Sequence, residues 1–195
     1  YSHELIRTPD GAWHTLAYRA DGMVQAWGDN SSGQCGDGEP ATNILAIAAG
    51  GYDSLAIDAT EGVIAWGANG YGQANVPAGL GPVLAIAAGT WHSVALGADG
   101  TVAVWGDNSY GQTNQPAGLS EVVAIAAGGN HTLALKADGT VVAWGENTDA
   151  EGNATFSCLL AAGAYRAVLE PQDRFNKKVT AHLPVREANP ATNPS

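Results

Sequence analysis

The stretch Val122-Val-Ala-Ile-Ala-Ala-Gly128-Gly-Asn-His131-Thr-Leu-Ala-Leu-Lys-Ala-Asp138-Gly139-Thr-Val-Val-Ala-Trp144-Gly145 decides the fold. From His131 to Ala137 apolar residues alternate with others at period two, which is the signature of a strand with one buried face. Asp138-Gly139 then supplies turn chemistry. A two-residue Asp-Gly connection predicts a type I′ hairpin, in which both central residues take positive φ. Thr140 to Trp144 forms a second apolar run that ends at Trp-Gly. None of this has helical periodicity, so the unit reads as short antiparallel strands joined by tight turns.

Moving outward, the unit recurs. Trp27-Gly28, Trp66-Gly67, Trp105-Gly106 and Trp144-Gly145 are spaced 39 residues apart. Copies starting at Ile44 and Val83 match the one at Val122 closely, and the copy from about Leu5 is more divergent. A fifth copy starts near Phe156, arrives four residues early and stops before any Trp-Gly. Asp107-Asn-Ser-Tyr-Gly-Gln112 marks a second turn, and Pro-Ala-Gly-Leu at 77–80 and 116–119 a third. Three or four antiparallel strands in a unit of this length make one blade of a β-propeller. The expected fold is therefore all-β, with four full blades and a half blade over residues 1–170. Residues 171–195 hold four prolines and four of the eight basic residues, and they read as a Pro-rich tail or linker.

Charge narrows the choice of partners. The chain of 195 residues carries a net charge of −11, and no Lys or Arg occurs between Arg19 and Lys136, where ten acids stand. A surface of that sign repels phosphate backbones and favours basic partners, so nucleic-acid binding is not expected. No apolar run is long enough to span a membrane as a helix. Cys35 and Cys158 lie in different repeats. Two free thiols are expected, and a disulfide would need the array to curl until its ends meet.

The unit Ala-Ile-Ala-Ala-Gly-x-x-His-Ser/Thr-x-Ala-Leu-x-Ala-Asp-Gly-Thr-Val-x-Ala-Trp-Gly-Asp-Asn-x-x-Gly-Gln resembles the repeat of the regulator of chromosome condensation family over about residues 5–170. The resemblance implies a seven-bladed propeller. It covers members as different as a nucleotide exchange factor on chromatin, a plant ultraviolet photoreceptor and secreted bacterial proteins, one of them an inhibitor of β-lactamases. The run from Val63 to Pro77 has the flavour of that bacterial branch, which implies an extracellular setting. The photoreceptor's Gly-Trp-Arg-His-Thr motif has only a partial echo in Gly11-Ala-Trp-His-Thr15. Four and a half repeats fall short of seven blades. The remainder is expected elsewhere in a longer chain or from associating chains that meet through open blade edges.

In an up-and-down blade the Gly-x-x-His turn and the Asp-Asn-x-x-Gly-Gln turn share one face. The residue before each repeat His is Trp13, Tyr52, Trp91, Asn130 and, in the half copy, Tyr165, while Tyr71 and Tyr110 occupy the second turn. Large aromatics at turn tips suit a protein interface. Packing against neighbouring turns to stiffen the rim is the other reading. In the bacterial inhibitor, aromatics on these turns grip the target enzyme, so the resemblance implies Trp13, Tyr52, Trp91 and Tyr165 as partner-binding, with Tyr71 and Tyr110 as a second ring. Trp27, Trp66, Trp105 and Trp144, fixed in every unit, are expected as core wedges between blades.

Enzyme signals are weak. His14, His92 and His131 recur with the repeat, with Asp53 and Arg166 at the equivalent sites. A strand residue bonding its neighbour explains them better than a metal, because the ligand set is broken in two copies. His-Ser and His-Thr neighbours point to opposite faces of a strand and form no nucleophile–base pair. Asp29-Asn-Ser-Ser-Gly-Gln lacks the terminal acid of a calcium loop. The expected function is a non-enzymatic protein-binding module with no cofactor or metal. The alternatives are inhibition of β-lactamase or another secreted enzyme, a subunit that completes a propeller with other chains, and, last, a hydrolase assembled across loops.

Overall fold

The structure, a computed structural model, describes residues 5–7, 11–19, 22–36, 43–146, 155–160, 163–168 and 179–180, with side-chain surroundings given for 11–18, 22–36 and 43–146. All described elements are strands. They group by repeat as β1 (Leu5–Arg7), β2 (His14–Arg19) and β3 (Val24–Gly28), then β4 (Ile44–Ala49), β5 (Asp53–Asp58) and β6 (Val63–Gly67). The third repeat gives β7 (Val83–Ala88), β8 (His92–Gly97) and β9 (Val102–Gly106), and the fourth β10 (Val122–Ala127), β11 (His131–Lys136) and β12 (Thr140–Gly145). Within each repeat the strands pair antiparallel in sequence order, so every unit is a three-stranded up-and-down blade. The half copy forms the hairpin of β13 (Thr155–Leu160) and β14 (Gly163–Val168). A two-residue strand, β15 (Val179–Thr180), pairs with β12 and β14 and falls in the segment expected as a tail. The rest of that segment lies outside the described residues.

Alternation along the middle strand of each blade builds the stack. On β5, Leu55 and Ile57 pack towards the third blade, beside Val83, Ala95 and Trp105. Ala56 faces the first blade, with Leu16, Ile47 and Trp66. One repeat on, Val94 and Leu96 meet Ala134, Ile125 and Trp144. Each slot between blades thus receives branched aliphatics from one side and a Trp over a small Ala from the other. This is how a repeat buries a face that it cannot bury alone.

The Asp-Gly connections differ from the type I′ hairpin expected. Asp99 and Asp138 keep negative φ, and only Gly100 and Gly139 are left-handed, at 78° and 84°. Gly100 donates to the Gly97 carbonyl at 3.0 Å, and Gly97 donates to the Thr101 carbonyl at 2.8 Å. This is a three-residue loop, a type I turn closed by a left-handed residue. The cause is the aspartate side chain: Asp99 Oδ1 accepts the Thr101 backbone N–H at 3.0 Å and its hydroxyl at 2.6 Å. Those bonds, the hydroxyl's first, also hold the Asp99 carboxyl below its ordinary pKa. In the second blade Glu61 occupies the left-handed position at φ 61°. A side chain there costs about 1 kcal/mol relative to glycine. Glu61→Gly is expected to raise stability by about 0.5–1 kcal/mol in denaturant titration.

Candidate functional site

The turns at one end of the blades are built by two linked devices. The first is the Asp-Asn-x-x-Gly-Gln loop, which closes on itself. Gln112 Nε2 donates to Asp107 Oδ2 at 2.8 Å, and Gln112 Oε1 accepts the Tyr110 N–H at 2.9 Å. Gln34 and Asp29 repeat the clamp at 2.8 Å. Hydrogen bonds from Ser31, its hydroxyl first, keep the Asp29 carboxyl below the ordinary range. The carboxylates that suggested a calcium loop are therefore spent on internal bonds. Among the described residues no cluster of three metal-ligating side chains forms. In the second blade Ala68 replaces the aspartate, and Gln73 Nε2 is left buried without a partner.

The second device joins blade to blade. The Gln34 carbonyl accepts both the Ser54 hydroxyl and the Trp66 indole N–H of the next blade, each at 2.8 Å. The Gln73 carbonyl does the same for Ser93 at 3.0 Å and Trp105 at 2.8 Å. Gln112 receives the Thr132 hydroxyl at 2.9 Å, while Trp144 Nε1 is buried without a partner. The repeat imidazoles add a further link: His14 Nε2 lies 2.8 Å from Ser54 Oγ and His92 Nε2 3.0 Å from Thr132 Oγ1. Burial lowers the pKa of His14 and His131, and takes that of His92 to about 4. They are neutral structural imidazoles at ordinary pH. Trp105 and Trp144 are buried and Trp66 partly so, whereas Trp27 is 47% exposed, because no preceding blade among the described residues covers it.

On this scaffold stand the tip aromatics. The carbonyls of Trp13, Tyr52 and Trp91 accept the N–H of Asp29, Ala68 and Asp107, each at 2.8–2.9 Å, which ties each tip to its own blade's loop. The glycine of each Trp-Gly makes room for this. Gly67 and Gly106 take φ near 101° and 107°, and a Cβ on either falls 2.6 Å from the tip residue's carbonyl.

The rings meet across blades. Trp13 and Tyr52 have centroids 6.4 Å apart, and Tyr52 and Trp91 stack at 4.5 Å with 15° between planes. Tyr71, from the second blade's loop, leans on Trp91 at 5.5 Å. Four of the expected binding residues therefore form one continuous row. Tyr110, from the third blade's loop, is exposed; the tip of the next blade, where Trp91 meets Tyr71 one repeat earlier, is here Asn130, which bonds Glu146 at 2.7 Å. Tyr165 lies on β14 and its side chain is outside the described residues. Cys35 is a free thiol next to the Asp29 carbonyl, and the Cys158 side chain is outside the described residues.

Reading the sequence missed the state of Asp53. It is fully buried, its Oδ1 has no hydrogen-bond partner, and burial pushes its pKa up to about 7. The available signal was an acid in register with buried imidazoles.

Comparison with known proteins fits this architecture. The Regulator of chromosome condensation (RCC1) repeat matches residues 11–34, 83–112 and 122–151, and the second blade, between the first two stretches, is built alike. Yeast RCC1 (Prp20), in its crystal structure with Kap60, superposes with a TM-score of 0.66 at 21% identity over 74% of this chain and 44% of its own. Prp20p from Saccharomyces cerevisiae, in a structure reported with its binding to Gsp1p and histones, gives 0.67 at 19% over 93% and 66%. The CRINKLY WD40 ectodomain of the Arabidopsis thaliana receptor kinase ACR4 gives 0.61 at 25% over 77% and 54%. The chain thus spans about half to two thirds of the length of these structures. A search of curated protein sequences finds no match. Three stretches of the chain thus match the Regulator of chromosome condensation repeat, and its described repeats fold as successive blades of the β-propeller type.

Proposed function

We propose that the protein is a non-enzymatic binding module that grips a protein partner through the row Trp13–Tyr52–Trp91 with Tyr71 beside it. The single observation that supports this most is the continuity of the row across three blades, with Trp13 59% exposed and Tyr71 and Tyr110 also open to solvent. Aromatic rings held rigid by their neighbours offer large contact area at little entropic cost. Mutual stacking also stiffens the rim, and a stiff row is what an interface needs, because preorganisation removes part of the cost of association.

The partner's chemistry follows from charge. No Lys or Arg lies between Arg19 and Lys136, so this face offers rings, carboxylates and backbone, and a complementary surface carries cations and apolar groups. Binding of proteins by a propeller of this type is described for yeast RCC1, with Kap60, and for Prp20p, with Gsp1p and histones. Capping of a secreted enzyme is the narrower form of the same reading, and an extracellular location belongs to that form.

The test is titration of the full chain and its Trp91→Ala variant against arginine-rich, lysine-rich and acidic peptides and against a panel of secreted β-lactamases. Trp91 contacts two rings of the second blade, Tyr52 and Tyr71, so its removal is expected to weaken any interaction at the face by about tenfold or more while the far-UV spectrum is unchanged. Equal affinity of the two proteins for every ligand that binds would exclude the aromatic row as the binding surface.

A further inference from the structure

At each junction between blades a hydroxyl bridges two groups. Ser54 gives its proton to the Gln34 carbonyl at 2.8 Å and takes His14 Nε2 at 2.8 Å. Thr132 gives its proton to the Gln112 carbonyl at 2.9 Å and takes His92 Nε2 at 3.0 Å. A hydroxyl has one proton, so the group reaching it from the preceding blade must be a donor. Neutral imidazole fills that role at both junctions.

At the middle junction the same hydroxyl, Ser93, lies 3.0 Å from the Gln73 carbonyl, and the group reaching it from the preceding blade is Asp53, with Oδ2 at 3.3 Å. An ionised carboxylate only accepts. It would compete with the carbonyl for the one proton, and its other oxygen is buried without a partner. A neutral carboxylic acid donates to Ser93 as the imidazoles do.

We infer that Asp53 is a protonation switch between the second and third blades: as the neutral acid it donates to Ser93 and closes the junction, and as the carboxylate it loosens it. The residue next to it, Tyr52, stacks on Trp91, two residues from Ser93, so the switch and the aromatic stack span one junction. Gly51 N–H to the Gly89 carbonyl, at 3.0 Å, crosses there too. The consequence for partner binding rests on the function proposed above.

The surroundings fit the neutral form. β4, β6 and β7, which pack on β5, carry no titratable side chain. The ionisable groups on the other neighbouring elements are His14 on β2, His92 on β8, Asp29 in the first blade's loop, and Tyr52 and Tyr71 at the tips. The imidazoles are neutral, since burial lowers the pKa of His14 and takes that of His92 to about 4, and so neither supplies a cation. Burial raises Asp53 from 3.8 to about 7. A carboxyl whose folded pKa lies above its unfolded one contributes stability that is fully present below about pH 4 and is lost as pH rises to about 7. The switch therefore closes in acid and opens at and above neutrality.

Near-UV circular dichroism of the full chain between pH 5 and 9, which reads the Tyr52–Trp91 stack, is the test. Asp53→Asn and Asp53→His, each of which keeps a donor at this position, are its controls. The expected result is a loss of the aromatic signal with a midpoint near pH 7 in the parent and a flat profile in both variants. The same midpoint in Asp53→Asn, or no transition in the parent, would overturn the switch. The readout contains no partner, so that failure leaves the binding function standing. If the stack titrates but Trp91→Ala leaves peptide affinity unchanged, the switch stands and the binding function falls.

Discussion

Replacing Trp105 by alanine is expected to cost about 3–5 kcal/mol, a fall of about 10 °C or more in melting temperature for a chain of this size. Trp105 is 8% exposed and fills the slot between the second and third blades against Ala48, Leu55, Ile57, Val83 and Ala95. Its indole also donates to the Gln73 carbonyl at 2.8 Å. Truncation removes the largest apolar surface in that slot, and the facing residues other than Leu55 are small or β-branched strand residues that cannot swing in to fill the void. The repeat provides an internal control. Trp27 occupies the same position in its own blade, and 47% of it is in contact with solvent. Trp27→Ala leaves no enclosed cavity, so about 1 kcal/mol or less is expected. Thermal melting of the two variants side by side checks the pair. Equal losses would mean that Trp27 is covered in solution, by another segment or a second chain. Loss of about 1 kcal/mol or less from both would mean that the blades do not stack as described.

That contrast also marks what a sequence of this kind displays. The period of 39, the Trp-Gly wedges and the turn residues are legible because each is a local or repeated constraint that every copy must meet. The sharing of one face by Trp13, Tyr52, Trp91 and Tyr71 is legible for the same reason, since strand count alone fixes which turns fall at which end. Exposure of Trp27 is not legible, because it depends on what precedes a blade rather than on the blade. The hairpin differs from the type I′ turn expected of Asp-Gly because the deciding bonds run from Asp99 to Thr101, outside the dipeptide. Burial of Asp53 was hidden for a different reason. The position shows that an acid replaces an imidazole, but only the convergence of Ser93 and Gln73 from the next blade and its neighbouring loop shows that the replacement must donate.

The Gly-x-x-His pairing carries the other large effect. A Cβ at Gly89 would fall within the ring of His92 and 2.7 Å from the Gly128 carbonyl of the next blade. Gly128 stands in the same relation to His131, and Gly50 meets Asp53 Oδ1 at 2.7 Å and the Gly89 carbonyl at 2.6 Å. The glycine is thus required by close approach from two directions, its own blade's imidazole and the following blade's backbone. That backbone is fixed, since the Thr90 N–H donates to the Gly129 carbonyl at 3.1 Å. Gly89→Ala must therefore move His92 off Thr132, push the third and fourth blades apart, or both. The expected loss is about 3 kcal/mol, at the upper end for overpacking because neither obstacle is a flexible chain end. Adding His92→Ala removes the ring but leaves the carbonyl, so the double variant should recover only part of the loss attributable to Gly89→Ala. This can be read by denaturant unfolding of the two single variants and the double. Full recovery would show that the inter-blade backbone yields and that the ring alone demands glycine. No recovery would place the whole constraint in the approach of one blade's main chain to the next.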